Sequence, residues 1–131
     1  MSPIEEFNAK ANEDTDREHE MQLELLQKLC LALDSGAMAT TVHQILSDLI
    51  DYSEAHFMSE ELLMRMKSYD DYEEHQGNHS HILEVLRDMA ARNIAGKGSL
   101  LKQKAHDVTG FITQHIATRD KRLADHVRLG L

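Results

Sequence analysis

Five of the nine histidines in this 131-residue chain, together with two carboxylates, are spaced like metal ligands. In order they are His19, His56 with Glu60, His75 with His79, and His115 with Asp120. Imidazole nitrogen and carboxylate oxygen together suit zinc, iron, manganese or nickel. His56 and Glu60 lie four residues apart, as do His75 and His79, so on a helix each pair leaves one face about one turn apart. Seven donors are too many for one tetrahedral ion. They suit two adjacent ions bridged by the carboxylates.

Each signal alone is weak. Two histidines four apart on a charged helix more often face solvent, and a His–Glu pair at that spacing is commonly a surface ion pair. Their coincidence decides. Each of the seven falls in line with the apolar stripe of its own helix or just beyond its end, and burying so many polar groups without a metal is costly. His43, His81 and His106 fall off those stripes and His126 lies beyond the last ligand, so these four read as solvated.

The elements that must position the ligands are helices. One proline, six glycines and mostly helix-compatible residues point to an all-α chain. Apolar periodicity predicts a first helix over about 17–34, with Asp16 as N-cap and Leu23, Leu26, Cys30 and Leu33 in line with His19. A second over about 39–66 carries Val42, Ile45, Leu46, Leu49, Ser53, His56, Glu60 and Leu63 inward. A third over about 71–92 aligns His75, His79, Ile82, Leu86 and Met89. After a turn from Asn93 to Ser99, a fourth over about 99–117 aligns Leu101, Val108, Phe111, Ile112 and His115, and a short fifth piece covers about 120–129. Residues before about 13 read as an irregular N-terminal arm, with Ile4 and Phe7 free to fold back as a lid. Short connections favour an up-down-up-down antiparallel four-helix bundle, which puts all seven ligands at one end. The chain then forms a single domain over 1–131, with the bundle at about 17–117 and a tail at about 118–131.

Composition excludes several function classes. A formal charge of −9 with no basic stripe argues against nucleic acid. No apolar run approaches the roughly 20 residues of a membrane span. A single cysteine, Cys30, rules out an intramolecular disulfide and a cysteine-based cluster. The start, Met-Ser-Pro-Ile-Glu-Glu, lacks the basic and apolar regions of a signal peptide, so a cytoplasmic location is expected.

The zinc-protease motif His-Glu-x-x-His is absent, as is the Glu-x-x-His of ferritin-like di-iron proteins. The run His19, His56-x-x-x-Glu60, His75-x-x-x-His79 and His115-x-x-x-x-Asp120 resembles the hemerythrin family, in particular its bacterial members. The resemblance spans Asp16 to Asp120 and includes His56-Phe57, Glu60-Glu61 followed by Met64, and His115-Ile116. It implies a four-helix bundle holding two Fe ions as a non-haem di-iron centre. His75, His79 and His115 would bind one iron, and His19 and His56 the other. Glu60 and Asp120 would bridge them beside an oxo or hydroxo group. The implied chemistry is reversible O₂ binding at the iron with fewer histidines, where azide or NO also binds. Leu23, Phe57, Ile112 and Ile116, each beside a ligand or about one turn from it, would wall that pocket, although core packing alone would place them there too. Two departures stand out: Phe111 occupies the place where the family often has Trp, and Phe7 is the only substitute for an N-terminal aromatic lid.

The expected function is therefore O₂ storage, delivery or sensing by a binding protein rather than an enzyme, with at most weak oxidase-like side activity. Carrier and sensor share one site. The alternatives are a di-iron oxidase, peroxidase or nitric-oxide-handling enzyme, or an iron buffer. The amphipathic C-terminal tail could lead into an output domain or join two copies of the chain.

Overall fold

The computed structural model describes residues 2–96 and 100–130. Among them every regular element is helical: α1 Pro3–Asp34, α2 Ala39–Met66, α3 Tyr72–Ile94, α4 Leu101–His115 and α5 Lys121–Arg128, with a π-helical turn, Ile116–Asp120, between the last two. Helices α1 and α2 pack together, α3 packs on α2 and α4, and α1 also packs on α4 and α5. Among the described residues no helix is long and apolar enough to cross a membrane.

The largest correction is at the N-terminus. The irregular arm predicted there is helix, and Asp16 lies inside α1 rather than capping it. The cap is Ser2, whose hydroxyl accepts from the Glu5 backbone N–H while the Glu5 side chain accepts from the Ser2 N–H, with Pro3 at the first helical position. That Ser-x-x-Glu box satisfies two of the amides that a helix start leaves without partners. The arm lacks an apolar stripe because little of it faces the core; Asn8 is buried, and the Asn12 amide donates to the Ala124 carbonyl of α5 at 3.0 Å. Phe7 is not a lid. It is 45 % exposed, with the Lys67 ammonium 5.3 Å from its ring.

Gly36 at φ +73° and Gly96 at φ +71° end α1 and α3 in the left-handed conformation that glycine adopts without strain. The turn predicted over Asn93–Ser99 and the predicted fourth-helix start at about 99 fall partly on Lys97, Gly98 and Ser99, which lie outside the described residues.

Two apolar clusters form the interior. One joins Leu26, Leu29, Leu46, Leu49, Phe57, Ile82, Leu86, Val108 and Ile112. The other joins Leu63, Met64, Tyr69, Leu123 and Val127, with Ala11 and Tyr72 against it. Along every long helix the metal-type side chains fall between the two: Ala11, His19, Leu26 on α1; Leu49, His56, Glu60, Leu63 on α2; Tyr72, His75, His79, Ile82 around α3; Ile112, His115, Asp120, Leu123 from α4 to α5. The inward stripe of α1 runs His19, Gln22, Leu26, Leu29, so the predicted Leu23 and Cys30 are only half-buried.

Leu46 is fully buried, whereas Leu31 is 61 % exposed. Leu46→Ala should cost about 2–5 kcal/mol of stability in urea unfolding, and Leu31→Ala no more than about 0.5 kcal/mol. Equal losses would mean that the core has been misplaced.

Candidate metal centre

His19, His56, Glu60, His75, His79, His115 and Asp120 are all buried, none more than 8 % exposed. They form two overlapping groups, His19, His56, Glu60, Asp120 and Glu60, His75, His79, His115, Asp120, with the donor atoms of each within 4.8 Å of one another. First-row ions hold such donors at about 2.0–2.2 Å each, so each group has the span of one ion.

The carboxylates belong to both groups, one oxygen to each. Glu60 Oε2 lies 3.1 Å from His19 Nε2 and 3.3 Å from His56 Nε2, while Oε1 lies 3.2 Å from His75 Nε2 and 3.0 Å from His79 Nε2. Asp120 Oδ2 lies 2.9 Å from His19 Nε2, and Oδ1 lies 2.9 Å from His75 Nε2 and 3.0 Å from His115 Nε2. Local structure makes this possible. The four-residue spacings on α2 and α3 give single-face pairs. Asp120 follows His115 by five residues, which on a regular α-helix would turn it about 140° away. The π-helical turn, with its i to i+5 hydrogen bonding, brings Asp120 back towards His115.

The donors fit metal better than they fit one another. His56 Nε2, His79 Nε2, His115 Nε2 and Asp120 Oδ1 are fully buried and have no hydrogen-bond partner, although the nearest carboxylate oxygen or ring nitrogen lies 2.9–3.3 Å from each. Such contacts without hydrogen-bond geometry are what lone pairs converging on a shared point produce. On three of the five histidines the outer ring nitrogen is held instead: His56 Nδ1 lies 2.8 Å from Glu18 Oε1, His79 Nδ1 3.0 Å from Glu61 Oε2, and His115 Nδ1 3.2 Å from Asn78 Oδ1, whereas His75 Nδ1 is buried without a partner. With Nδ1–H donating outward, Nε2 is left as the inward acceptor, which is the tautomer a metal needs.

Glu18, Glu61 and Asn78 are absent from the sequence-based site. Their signal was adjacency, because Glu18 precedes His19, Glu61 follows Glu60 and Asn78 precedes His79. Of the four pocket residues, Ile112 and Phe57 are buried, while Leu23 and Ile116 are half-buried against the core. The Phe57 ring stacks on His79 with centroids 4.0 Å apart, nearer to the three-histidine group than to His56 at 5.7 Å. His43, His81 and His106 are exposed. His126 is not solvated as predicted: it is half-buried, edge-on to Tyr69 and close to the Lys67 carbonyl.

Electrostatics within the cluster are strong. Burial alone would depress His19 and His75, but their close contacts with the Asp120 and Glu60 carboxylates lift them to about 10 and about 9. Burial would raise Glu60, but its contacts with His19, His56, His75 and His79 hold it well below 4.5. Without metal, His19 and His75 therefore stabilise the fold fully below 6.5 and lose that contribution as pH rises towards about 9–10. Glu60 contributes above 4.5 and loses its contribution as pH falls. Thermal melts of chelated protein should peak between pH 4.5 and 6.5 and fall on either side. Metal, which competes with protons for imidazole, should move the optimum upward. A chelated protein whose Tm is flat from pH 5 to 9 would contradict this electrostatic picture.

Comparison with known proteins agrees with the geometry. Residues 10–127 match the family model described as the hemerythrin HHE cation binding domain. Over 106 residues the chain is 29 % identical to a bacteriohemerythrin from Methylococcus capsulatus (strain Bath), covering 81 % of this chain and 80 % of that protein. No solved structure matches it significantly. With a family match over residues 10–127, which include all seven residues of the buried histidine and carboxylate cluster, the chain belongs to the hemerythrin family.

Proposed function

We propose that this protein is a non-haem di-iron protein that binds O₂ reversibly, for storage, delivery or sensing. The observation that carries the reading is the division of Glu60 and Asp120, each giving one oxygen to the His19/His56 side and one to the His75/His79/His115 side. Two carboxylates shared in this way suit a pair of ions. Family membership supports iron over the other metals that the donors suit.

In this reading His75, His79 and His115 would hold one iron and His19 and His56 the other, with Glu60 and Asp120 shared between them, so that the side with fewer histidines would be the one left open to O₂. Bound iron would supply the electrons for O₂ binding. The chain supplies the rest. Glu18 and Glu61 fix the His56 and His79 rings, Asn78 fixes His115, and the carboxylates balance the charge of the ions. Five neutral imidazoles make the site less anionic than a carboxylate cage, which moderates the drive to the ferric state and favours reversibility. Leu23, Phe57, Ile112 and Ile116 exclude water.

The finer architecture belongs to the same proposal. An up-down-up-down order is supported by antiparallel pairings between neighbouring helices: on α1 and α2, His19 lies beside His56 and, one turn on, Gln22 beside Ser53; on α2 and α3, Glu60 lies beside His75 and the Asn93 side chain reaches the Ala39 carbonyl. We treat residues 1–131 as one domain, and a reducing cytoplasmic setting suits its free Cys30.

The test is the visible spectrum of anaerobically reduced protein as O₂ is admitted and then removed. Charge-transfer bands should appear and vanish over repeated cycles. Permanent conversion to the ferric form in the first cycle would replace O₂ binding with oxidase-like chemistry. In the ferric protein, His56→Ala should abolish or shift the azide band, whereas His43→Ala, on the exposed face of α2, should leave it unchanged. The same response from both variants would remove His56 from the site.

A further inference from the structure

The helical turn beneath the metal-type cluster is not uniformly apolar. One turn inward from the innermost ligand of each long helix, towards the larger core cluster, stand Gln22 after His19, Ser53 before His56, Ile82 after His79 and Ile112 before His115. All four are buried, with exposures of 1 %, 0 %, 0 % and 1 %. The isoleucines lie on the helices that carry the three-histidine group. The polar pair lies on α1 and α2, beneath the His19/His56 group.

Gln22 and Ser53 meet across the two helices, the amide Nε2 donating to the Ser53 hydroxyl oxygen at 3.0 Å. A buried amide and hydroxyl in this layer are expensive compared with the aliphatic side chains opposite them. Their mutual bond uses one of the two amide protons. The second amide N–H and the hydroxyl proton remain free to donate, in an interior where a hydrogen bond to an anion gains more than it does in water.

We propose that Gln22 is a hydrogen-bond donor to small anions bound at the open position on the His19/His56 side, with Ser53 as the positioning residue that holds its amide. The ligand class is compact, anionic and rich in acceptors, with azide as the probe. This inference rests on the di-iron reading above. It makes the pocket amphipathic, with Gln22 and Ser53 on one side and Ile112 on the other, where the sequence predicts an apolar lining only.

The experiment compares parent, Gln22→Leu, Ser53→Ala and the double variant after iron loading. Gln22→Leu should keep its iron and bind azide about 10–100-fold more weakly, the factor carried by one hydrogen bond to a charged group. The infrared stretch of bound azide should shift between H₂O and D₂O in the parent and not in Gln22→Leu. Ser53→Ala should give a smaller loss of affinity. The double variant removes both partners of the bond and leaves no orphaned hydroxyl, so it carries the same test if Gln22→Leu alone folds poorly. Thermal melts of the metal-free forms separate a helix-bridging role, which changes Tm, from a ligand-binding role, which changes azide affinity. Unchanged azide affinity with the isotope shift retained in Gln22→Leu would overturn the inference. A parent protein that takes up no iron would instead overturn the di-iron reading.

Discussion

Five imidazoles and two carboxylates packed between two apolar clusters must have their charge and lone pairs answered inside the fold, because water is excluded from them. Without metal, protons do part of that work: His19 and His75 hold theirs far into the alkaline range while Glu60 stays ionised. Several inward donor atoms still find no hydrogen-bond partner. Cations at the two convergence points would answer all of them together. The N-terminal turns of α1 add Ala11 to the smaller apolar cluster on the outer side of the site.

Backbone register turns this demand into geometry. On α2 and α3 the four-residue spacings suffice. Between α4 and α5 they do not, and the chain widens into a π-helical turn so that Asp120 comes back to His115 and reaches His19 and His75 as well. Arg119 within that turn pairs with Asp71 and Glu74, tying it to the start of α3. These partly exposed ion pairs add little stability each, but they fix orientation.

The helical class, the extent of α2 and the convergence of the seven ligand-type residues were legible in the sequence, because strongly periodic apolar stripes ran through or up to each ligand. The N-terminal half of α1 was not, because its only start signals are the Ser2–Glu5 box and Pro3, and its surface is too charged to carry a stripe. Gln22 was hidden for the opposite reason. A polar residue beside Leu23 reads as the outward neighbour, and only packing against Ser53 reveals it as the inward one. His126 was misplaced because its burial depends on contacts with Tyr69 and Lys67, far away in sequence. The π-helical turn has no compositional signature at all. Only the five-residue gap from His115 to Asp120, read against a helical period, hints at it.

The two sides of the cluster differ in what surrounds them. His79 is stacked by Phe57 and tethered by Glu61, and His115 is tethered by Asn78; across the site, His56 is tethered by Glu18 above the polar pair of Gln22 and Ser53. That asymmetry has a function only if two ions occupy the cluster. Anomalous diffraction at the iron edge from crystals of the iron-loaded protein tests this most directly. Two peaks are expected, one among His19, His56, Glu60 Oε2 and Asp120 Oδ2, the other among His75, His79, His115, Glu60 Oε1 and Asp120 Oδ1. A single peak at full occupancy, with the remaining histidines bonded to carboxylates instead of metal, would contradict the two-ion reading.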